Sequence, residues 1–327
     1  MKREAQVNSF PNGWFCVAYS EQIKPGEAIP LHYFGKDLVL FRTEKGVPHV
    51  FDAHCPHLGA HLGYGGKVKD ETIHCPFHGW CYDSNGKCTS VPYNNELPPN
   101  VQLQKWSTKE VNGIIIVYHG SKGRPPAWEV PNLDELVEHD DVVFQLIKRQ
   151  TLHIQPPEVG EHSYDIDHVN LHNQASKAKS KDLKFDGATA IHHFSIEYKP
   201  LVPASWLIGK EVTLSSEVKN YGLGVSLITH ALEGKIKGYW LVMVLTTPVD
   251  EEHSEVHFLL GMPKVFNRLI NPILERFLCQ EMKKGVELEI SFLENKTHYS
   301  YPPLRNSDES IAQFREWASQ FYSEGSF

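Results

Sequence analysis

The chain has 327 residues, 41% hydrophobic and 22% charged, a balance that supports a buried core and, at roughly 150 residues per domain, two domains. Lys and Arg number 32 against 40 Asp and Glu, a net charge of −8 with no basic run, which argues against nucleic acid or an anionic membrane as partner. The strongly apolar stretch Ile114 to Tyr118 is far below the ~20 residues of a spanning helix. The N-terminus MKREAQVNSFPNGW has charge but no apolar region after it, so no secretory leader is expected and the expected location is cytoplasmic.

In chain order, the first third carries strand and turn signals. Asp37 to Arg42 and Gly113 to Tyr118 read as strands, with Gly-containing turns between them, which predicts a small all-β module with long loops. The segment Ser121 to Pro126 has Gly and paired Pro and reads as a linker, dividing the chain into domains 1–125 and 126–327. Beyond it, Asn173 to Asp186 is polar and Lys-rich without periodicity and reads as a mobile loop. His193 to Tyr198, Gly224 to Thr229, Tyr239 to Leu245 and Ser254 to Leu260 read as strands of one antiparallel sheet. A helix is expected from about Asn271 to Asn295, broken or loosened near Gly285. The fold class is therefore α+β.

Six Cys are unevenly spread, with Cys75, Cys81 and Cys88 close together, and clustered Cys in such a chain point to metal before disulfides. The sharpest pattern joins His54-Cys55-Pro56-His57-Leu58-Gly59-Ala60-His61 to His74-Cys75-Pro76-Phe77-His78-Gly79-Trp80. As ligands this is Cys-x-His, seventeen residues, then Cys-x2-His. Tetrahedral zinc accepts two Cys and two His, although its ligand pairs usually have at least two residues between them. A Rieske [2Fe–2S] centre takes one Cys and one His from each loop, with both Cys on one iron and both His on the other. Cys81 and Cys88 fall outside that set and read as structural; Cys16 and Cys279 read as small core residues. His54, His61 and His74 read as loop-packing or surface groups.

Cys55-Pro56-His57-Leu58-Gly59-Ala60-His61-Leu62 with Cys75-Pro76-Phe77-His78-Gly79-Trp80 resembles the Rieske domain of the Rieske non-haem iron oxygenases, from Pro11-Asn12-Gly13-Trp14 through Val91-Pro92-Tyr93. Respiratory-type Rieske proteins carry an extra Cys in each loop, where this chain has Ala60 and Phe77. The resemblance implies that Cys55, His57, Cys75 and His78 hold the cluster.

A cluster alone only moves electrons, and Glu161 to His172 offers it a destination. If that segment is helical, His168 and His172 are four apart on one face, and Asp165 joins them. Two imidazoles and a distant carboxylate make the two-His-one-carboxylate set of mononuclear Fe(II), with positions left open. A surface pair of His reads the same way in isolation. The pattern Asp-x2-His-x3-His resembles the catalytic motif of the same oxygenases, where four residues more often separate the His. An Asn of many relatives corresponds here to His162, which is not read as a ligand. The resemblance makes Asp165 the electron-bridging carboxylate, bonded to His168 and to a Rieske His of a neighbouring subunit, His78.

At about 100° per residue, Met282, Val286, Leu288, Ile290, Phe292 and Leu293 span one apolar arc with Glu289 near its middle. An ionised Glu there is costly unless it is paired or binds a metal. Glu289 is therefore the third ligand expected, with Glu281 and Glu287 as second choices; a helix break at Gly285 or a buried Arg partner would explain it otherwise. Leu288 to Lys296 is similar to the late ligand segment of steroid-type Rieske oxygenases, which usually has Asp.

The C-terminal half resembles the ketosteroid hydroxylase and cholesterol desaturase branch. That likeness implies a catalytic domain of helix-grip type, with an antiparallel sheet flanked by helices, and an oxygenase component that hydroxylates or desaturates a steroid- or terpenoid-like polycycle with O2. N-oxygenation or N/O-demethylation of a smaller intermediate is the alternative, and a Rieske electron carrier the non-enzymatic one. Without a Gly-rich dinucleotide motif in the chain, electrons are expected from a separate flavin/iron–sulfur reductase or ferredoxin using NAD(P)H. Family members work as head-to-tail trimers, so a homotrimer is expected.

Overall fold

The computed structural model describes residues 10–93, 97–132, 142–172, 176–198, 212–233, 238–263, 271–297, 299 and 302–322. The chain divides into two units, residues 1–132 with 247–251, and residues 133–246 with 252–327. None of the described helices is long and apolar enough to cross a membrane.

The first unit carries β1 (Gly13–Tyr19), β2 (Ala28–Tyr33), β3 (Lys36–Arg42), β4 (Pro48–Asp52), β5 (Lys67–Lys69), β6 (Thr72–His74), β7 (Cys81–Tyr82), β8 (Cys88–Ser90), β9 (Lys105–Val111) and β10 (Ile114–His119). They form a sheet in the order β1-β10-β9-β4-β3-β2 and a smaller one, β5-β6-β7-β8. Strand β3 shows why both are needed. Its residues alternate between faces, as a strand requires. Leu38 and Leu40 enter a core with Phe15, Val17, Val50, Ile115 and Val117. Val39 and Phe41 enter a second core with Phe51, Leu62, Ile73 and Tyr82, and Cys55 and Cys75 belong to it. The strand expected at Asp37 to Arg42 is thus a two-sided core strand, and its second face is the floor under both cysteines.

The second unit contains β11 (Val142–Leu152), α1 (Pro156–Glu161), α2 (Ile166–His172), β12 (Ser176–Asp186), β13 (Thr189–Tyr198), β14 (Val212–Tyr221), β15 (Val225–Glu233), β16 (Gly238–Pro248), β17 (Ser254–Pro263), α3 (Asn271–Asn295) and α4 (Glu309–Ser319). The strands make one sheet in the order β11-β17-β16-β15-β14-β13-β12. Cross-strand pairing lays Trp240, His230, Ser216, Phe194 and Ser180 in one row, and Val242, Ile228, Val218, His192 and Leu183 in the next. Trp240 and Val242 pack against the core that Val286, Ile290 and Leu293 of α3 share with Val256, Phe258 and Leu260. The long helix therefore covers this face of the sheet with its own apolar stripe.

Two expectations are corrected. Residues 176–186 are strand β12, paired with β13, and residues 173–175 of the expected loop lie outside the described ones. A bulge hides the strand: Ser180 pairs with Phe194 and Asp182 with His193, so Lys181 has no place in the register. The inward parity changes there, from buried Ala178 to half-buried Leu183 and Phe185. The lysines suit an edge strand, whose open backbone they shield from other strands. Second, α3 runs unbroken through Gly285. That glycine is exposed, and a Cβ added to it would touch nothing within 4 Å, so no packing opposes the helix. The apolar stripe is also narrower than the arc expected. Leu288 and Phe292 are 44% and 39% exposed, whereas Val286, Ile290 and Leu293 are buried.

Candidate metal centres

In the first unit, two loops repeat one design. Cys55 accepts from Gly59 N–H and donates its own N–H to Ala60 O; Cys75 does the same with Gly79 and Trp80. Gly59 (φ +74°) and Gly79 (φ +72°) take the left-handed turn that each loop needs. The flanks His54 and His61 form an isolated bridge around the first loop, as His74 and Cys81 pair around the second. The cysteines are 3% and 4% exposed. The His57 and His78 rings stand 4.8 Å apart between centroids, and Trp80 stacks on His57 at 4.3 Å and 8°. None of the six cysteines forms a disulfide.

Burial pushes the Cys55 thiol up, so iron charge is what would let that sulfur ionise there. The Nδ1 of His78 is buried and has no hydrogen-bond partner among the described residues, as an atom built to bind iron should be. The Tyr82 hydroxyl lies 3.0 Å from Cys55 Sγ, and burial keeps that phenol protonated. Among the described residues the four side chains do not converge on one point as a single tetrahedral ion requires, whereas a two-iron cluster spreads its ligands. Cys81 Sγ points instead to Gly79 O at 3.2 Å and His74 Nδ1 at 3.3 Å, a packing role.

In the second unit, one group of three metal-binding side chains does converge. The ligand atoms of His162, His168 and Glu289 lie within 4.8 Å of one another. His168 Nε2 is 3.1 Å from Glu289 Oε1, and His162 Nε2 is in ion-pair contact with Oε2. The His162 and His168 ring centroids are 4.1 Å apart. Burial pushes the Glu289 carboxyl up, but the two adjoining imidazoles outweigh it and hold it down at about 2. The same carboxylate draws His168 up. Two imidazoles and a half-buried carboxylate are the donor set of a mononuclear non-haem iron site, so the residues fit that metal.

Local structure explains the placement. Asp165 caps α2, its Oδ1 accepting the His168 backbone N–H at 2.9 Å. Its bond to His168 thus runs to the amide. Asn170 clamps α2 to β12, accepting from Ala178 N–H at 2.6 Å and donating to Ala178 O at 3.3 Å. Before α2, Tyr164 is fully buried, stacked on Phe314 at 4.4 Å and donating to Asn220 Oδ1 at 3.0 Å. A Cβ on Gly160 would stand 2.6 Å from the Phe314 ring, so only Gly lets α1 lie against α4.

The expected ligands His168 and Glu289 therefore meet. His172 ends α2, and its side chain lies outside the described residues, as does that of Glu281; Glu287 is exposed. His162 was set aside in the sequence reading yet stands at the site. It lies six positions before His168, out of helical register, and the 3-10 turn His162–Tyr164 between the helices folds it inward. A His next to a ligand motif was the only signal for it.

Residues 13–107 match the Rieske [2Fe-2S] domain, and residues 117–322 match the 3-ketosteroid 9alpha-hydroxylase C-terminal domain. The chain is a Rieske non-haem iron oxygenase of the 3-ketosteroid 9alpha-hydroxylase family. This oxygenase is 32% identical to cholesterol 7-desaturase of Drosophila melanogaster over 97% of its own length and 76% of the relative's. It is 27% identical to the oxygenase component of 3-ketosteroid-9-alpha-monooxygenase from Rhodococcus rhodochrous, over 96% and 83%. The fold of the oxygenase is that of dicamba monooxygenase, with a TM-score of 0.75 at 15% identity, covering 95% and 97% of the two chains. Its cofactors are a Rieske [2Fe–2S] cluster and non-haem iron.

Proposed function

We propose that this oxygenase hydroxylates or desaturates a steroid- or terpenoid-like polycycle, with residues 1–125 storing the electron and residues 126–327 oxidising the substrate. Cys55, His57, Cys75 and His78 hold the cluster, and His168, His172 and Glu289 hold the ferrous iron. Bound there, iron supplies the binding and reductive activation of dioxygen. Electrons come from NAD(P)H through a separate flavin/iron–sulfur reductase or ferredoxin, in the cytoplasm. Asp165 carries the electron bridge from His78 of a neighbouring subunit in a head-to-tail homotrimer.

The observation that carries this reading is the meeting of His168 with Glu289 in a chain that also presents the two Cys-Pro loops. Support for a polycycle comes from the face of the sheet under α3. Its two rows set Trp240, Phe194, Val242, Ile228, Val218 and Leu183 beside two polar pairs, Ser216 Oγ with His230 Nδ1 at 2.8 Å and Ser180 Oγ with His192 Nε2 at 3.0 Å. Burial pulls His230 down to about 4, so near neutrality it is an uncharged ring suited to a hydroxyl or carbonyl. The relatives named for cholesterol and 3-ketosteroids match nearly the whole chain.

The test is iron counting with product analysis. The purified chain should hold about three iron atoms, two in the cluster and one outside it. His168→Ala or Glu289→Ala should remove the third and abolish turnover while the Rieske EPR signal persists. With reductase and NAD(P)H, a steroid panel should give hydroxylated or dehydrogenated products. Two irons per chain would mean an electron carrier. Turnover of small amines with no steroid product would favour N-oxygenation or demethylation. An unaltered Glu289→Ala enzyme would move the carboxylate ligand to Glu281 or Glu287.

A further inference from the structure

The geometry points to His162 as a nitrogen ligand of the mononuclear metal, alongside His168 and Glu289. The inference rests on the reading of that site as an iron site and adds a nitrogen donor to the ligands named there.

Three observations carry it. The ligand atoms of His162, His168 and Glu289 lie within 4.8 Å of one another, and imidazole and carboxylate are the donors that suit non-haem iron. His162 Nε2 and Glu289 Oε2 are both buried, they touch as an ion pair, and yet neither completes a hydrogen bond among the described residues. A His kept only to neutralise Glu289 would aim its N–H along a carboxylate lone pair.

The third observation is that the turn bearing His162 is pinned on both sides. Glu161 is bonded to Arg315 and lies 3.5 Å from Lys296 Nζ. Ser163 O is 3.3 Å from His192 Nδ1, and Tyr164 O accepts from Ser310 Oγ at 2.8 Å. His192 and Ser310 hold backbone carbonyls of the turn, while Arg315 and Lys296 hold the Glu161 carboxylate that precedes it. Such preorganisation is what a metal ligand requires of its support. An imidazole with no assigned task would not need it.

Pulsed EPR of the nitric oxide adduct of the ferrous site decides it, with the Rieske cluster kept oxidised and therefore spin-silent. His162→Asn should lose one coordinated imidazole from the nitrogen modulation, and ferrous affinity should fall about 100-fold or more, above the 10- to 100-fold range of residues that merely support a ligand. The Rieske EPR signal and circular dichroism should not change. In His162→Gly, added imidazole should restore the missing modulation, which a purely structural role would not allow. An unchanged imidazole count in His162→Asn overturns the inference and leaves the iron site standing. A wild-type chain that forms no nitric oxide adduct at all overturns the iron site itself.

Discussion

Nε2 of His168 lies 3.1 Å from Oε1 of Glu289, although 121 positions separate them in the chain. One comes from the short helix α2 and the other from the long helix α3, and both are only partly exposed, at 15% and 28% of their side chains. Neither helix can present both groups, so the site exists only when the sheet and its covering helices have come together.

Asp165 offers a way to separate folding from electron transfer. Asn is nearly as good a cap as Asp, whereas Ala loses the bond to the His168 amide. Asp165→Ala should destabilise the chain by about 1 kcal/mol in urea denaturation. Asp165→Asn should unfold like wild type with both metals bound, and yet slow cluster-to-iron electron transfer in single turnover. Unchanged single-turnover rates would leave Asp165 as a cap alone.

Tyr82 should tune the cluster. Its hydroxyl, 3.0 Å from Cys55 Sγ, donates to a sulfur whose negative charge grows on reduction. Removing a bond of about 0.5–1.5 kcal/mol in Tyr82→Phe should lower the midpoint potential by roughly 20–65 mV, at 59 mV per tenfold for one electron. An EPR-monitored redox titration reads this directly; a potential equal to wild type would mean that the hydroxyl does not donate to the cluster.

Gly285 should be an easy stabilising site. It is exposed in the middle of α3, with open space where a Cβ would go. Gly285→Ala should raise stability by about 0.5–1 kcal/mol through helix propensity and a less flexible unfolded chain. The urea midpoint should rise with an unchanged slope; a lower midpoint would show that the glycine is needed.

Arg42 and Glu110 should set part of the acid limit of the first unit. Arg42 Nη1 and Nη2 each donate to Glu110 at 2.8 Å, and the Arg42 side chain is only 8% exposed. The guanidinium holds the Glu110 carboxyl below its ordinary 4.5. A carboxylate depressed in the folded state contributes stability above its unfolded value and loses it as the pH falls through the folded one. Glu110→Gln should therefore cost about 1.5–3 kcal/mol at neutral pH, with a gap to wild type that closes only below about 4.5. A gap independent of pH across that window would assign the loss to packing.

How much of this was legible in the sequence depended on whether the signal was local. The two matching loops were, because Cys55-Pro56-His57 and Cys75-Pro76-Phe77-His78 carry both donor side chains and turn residues within each loop. Glu289 was, because an ionised side chain interrupts the period of Val286, Ile290 and Leu293. Strand β12 was not, since the bulge at Lys181 switches the inward face midway and no single parity survives. Gly285 suggested a break because propensity was weighed without the packing on either side of it. His162 was out of reach, since only the bend between α1 and α2 turns it toward His168.

The clamp of Gly160 beneath Phe314, and of Tyr164 beside it, has a temporal meaning during synthesis. The backbone bonds that close the two Cys-Pro loops span only Cys55 to Trp80. The site that joins His168 to Glu289 draws on a carboxylate at 289 and a brace at 314, both synthesised well after those loops. The Cys-Pro loops can therefore close while the second site still lacks a wall, so the two sites need not take shape at the same moment of synthesis.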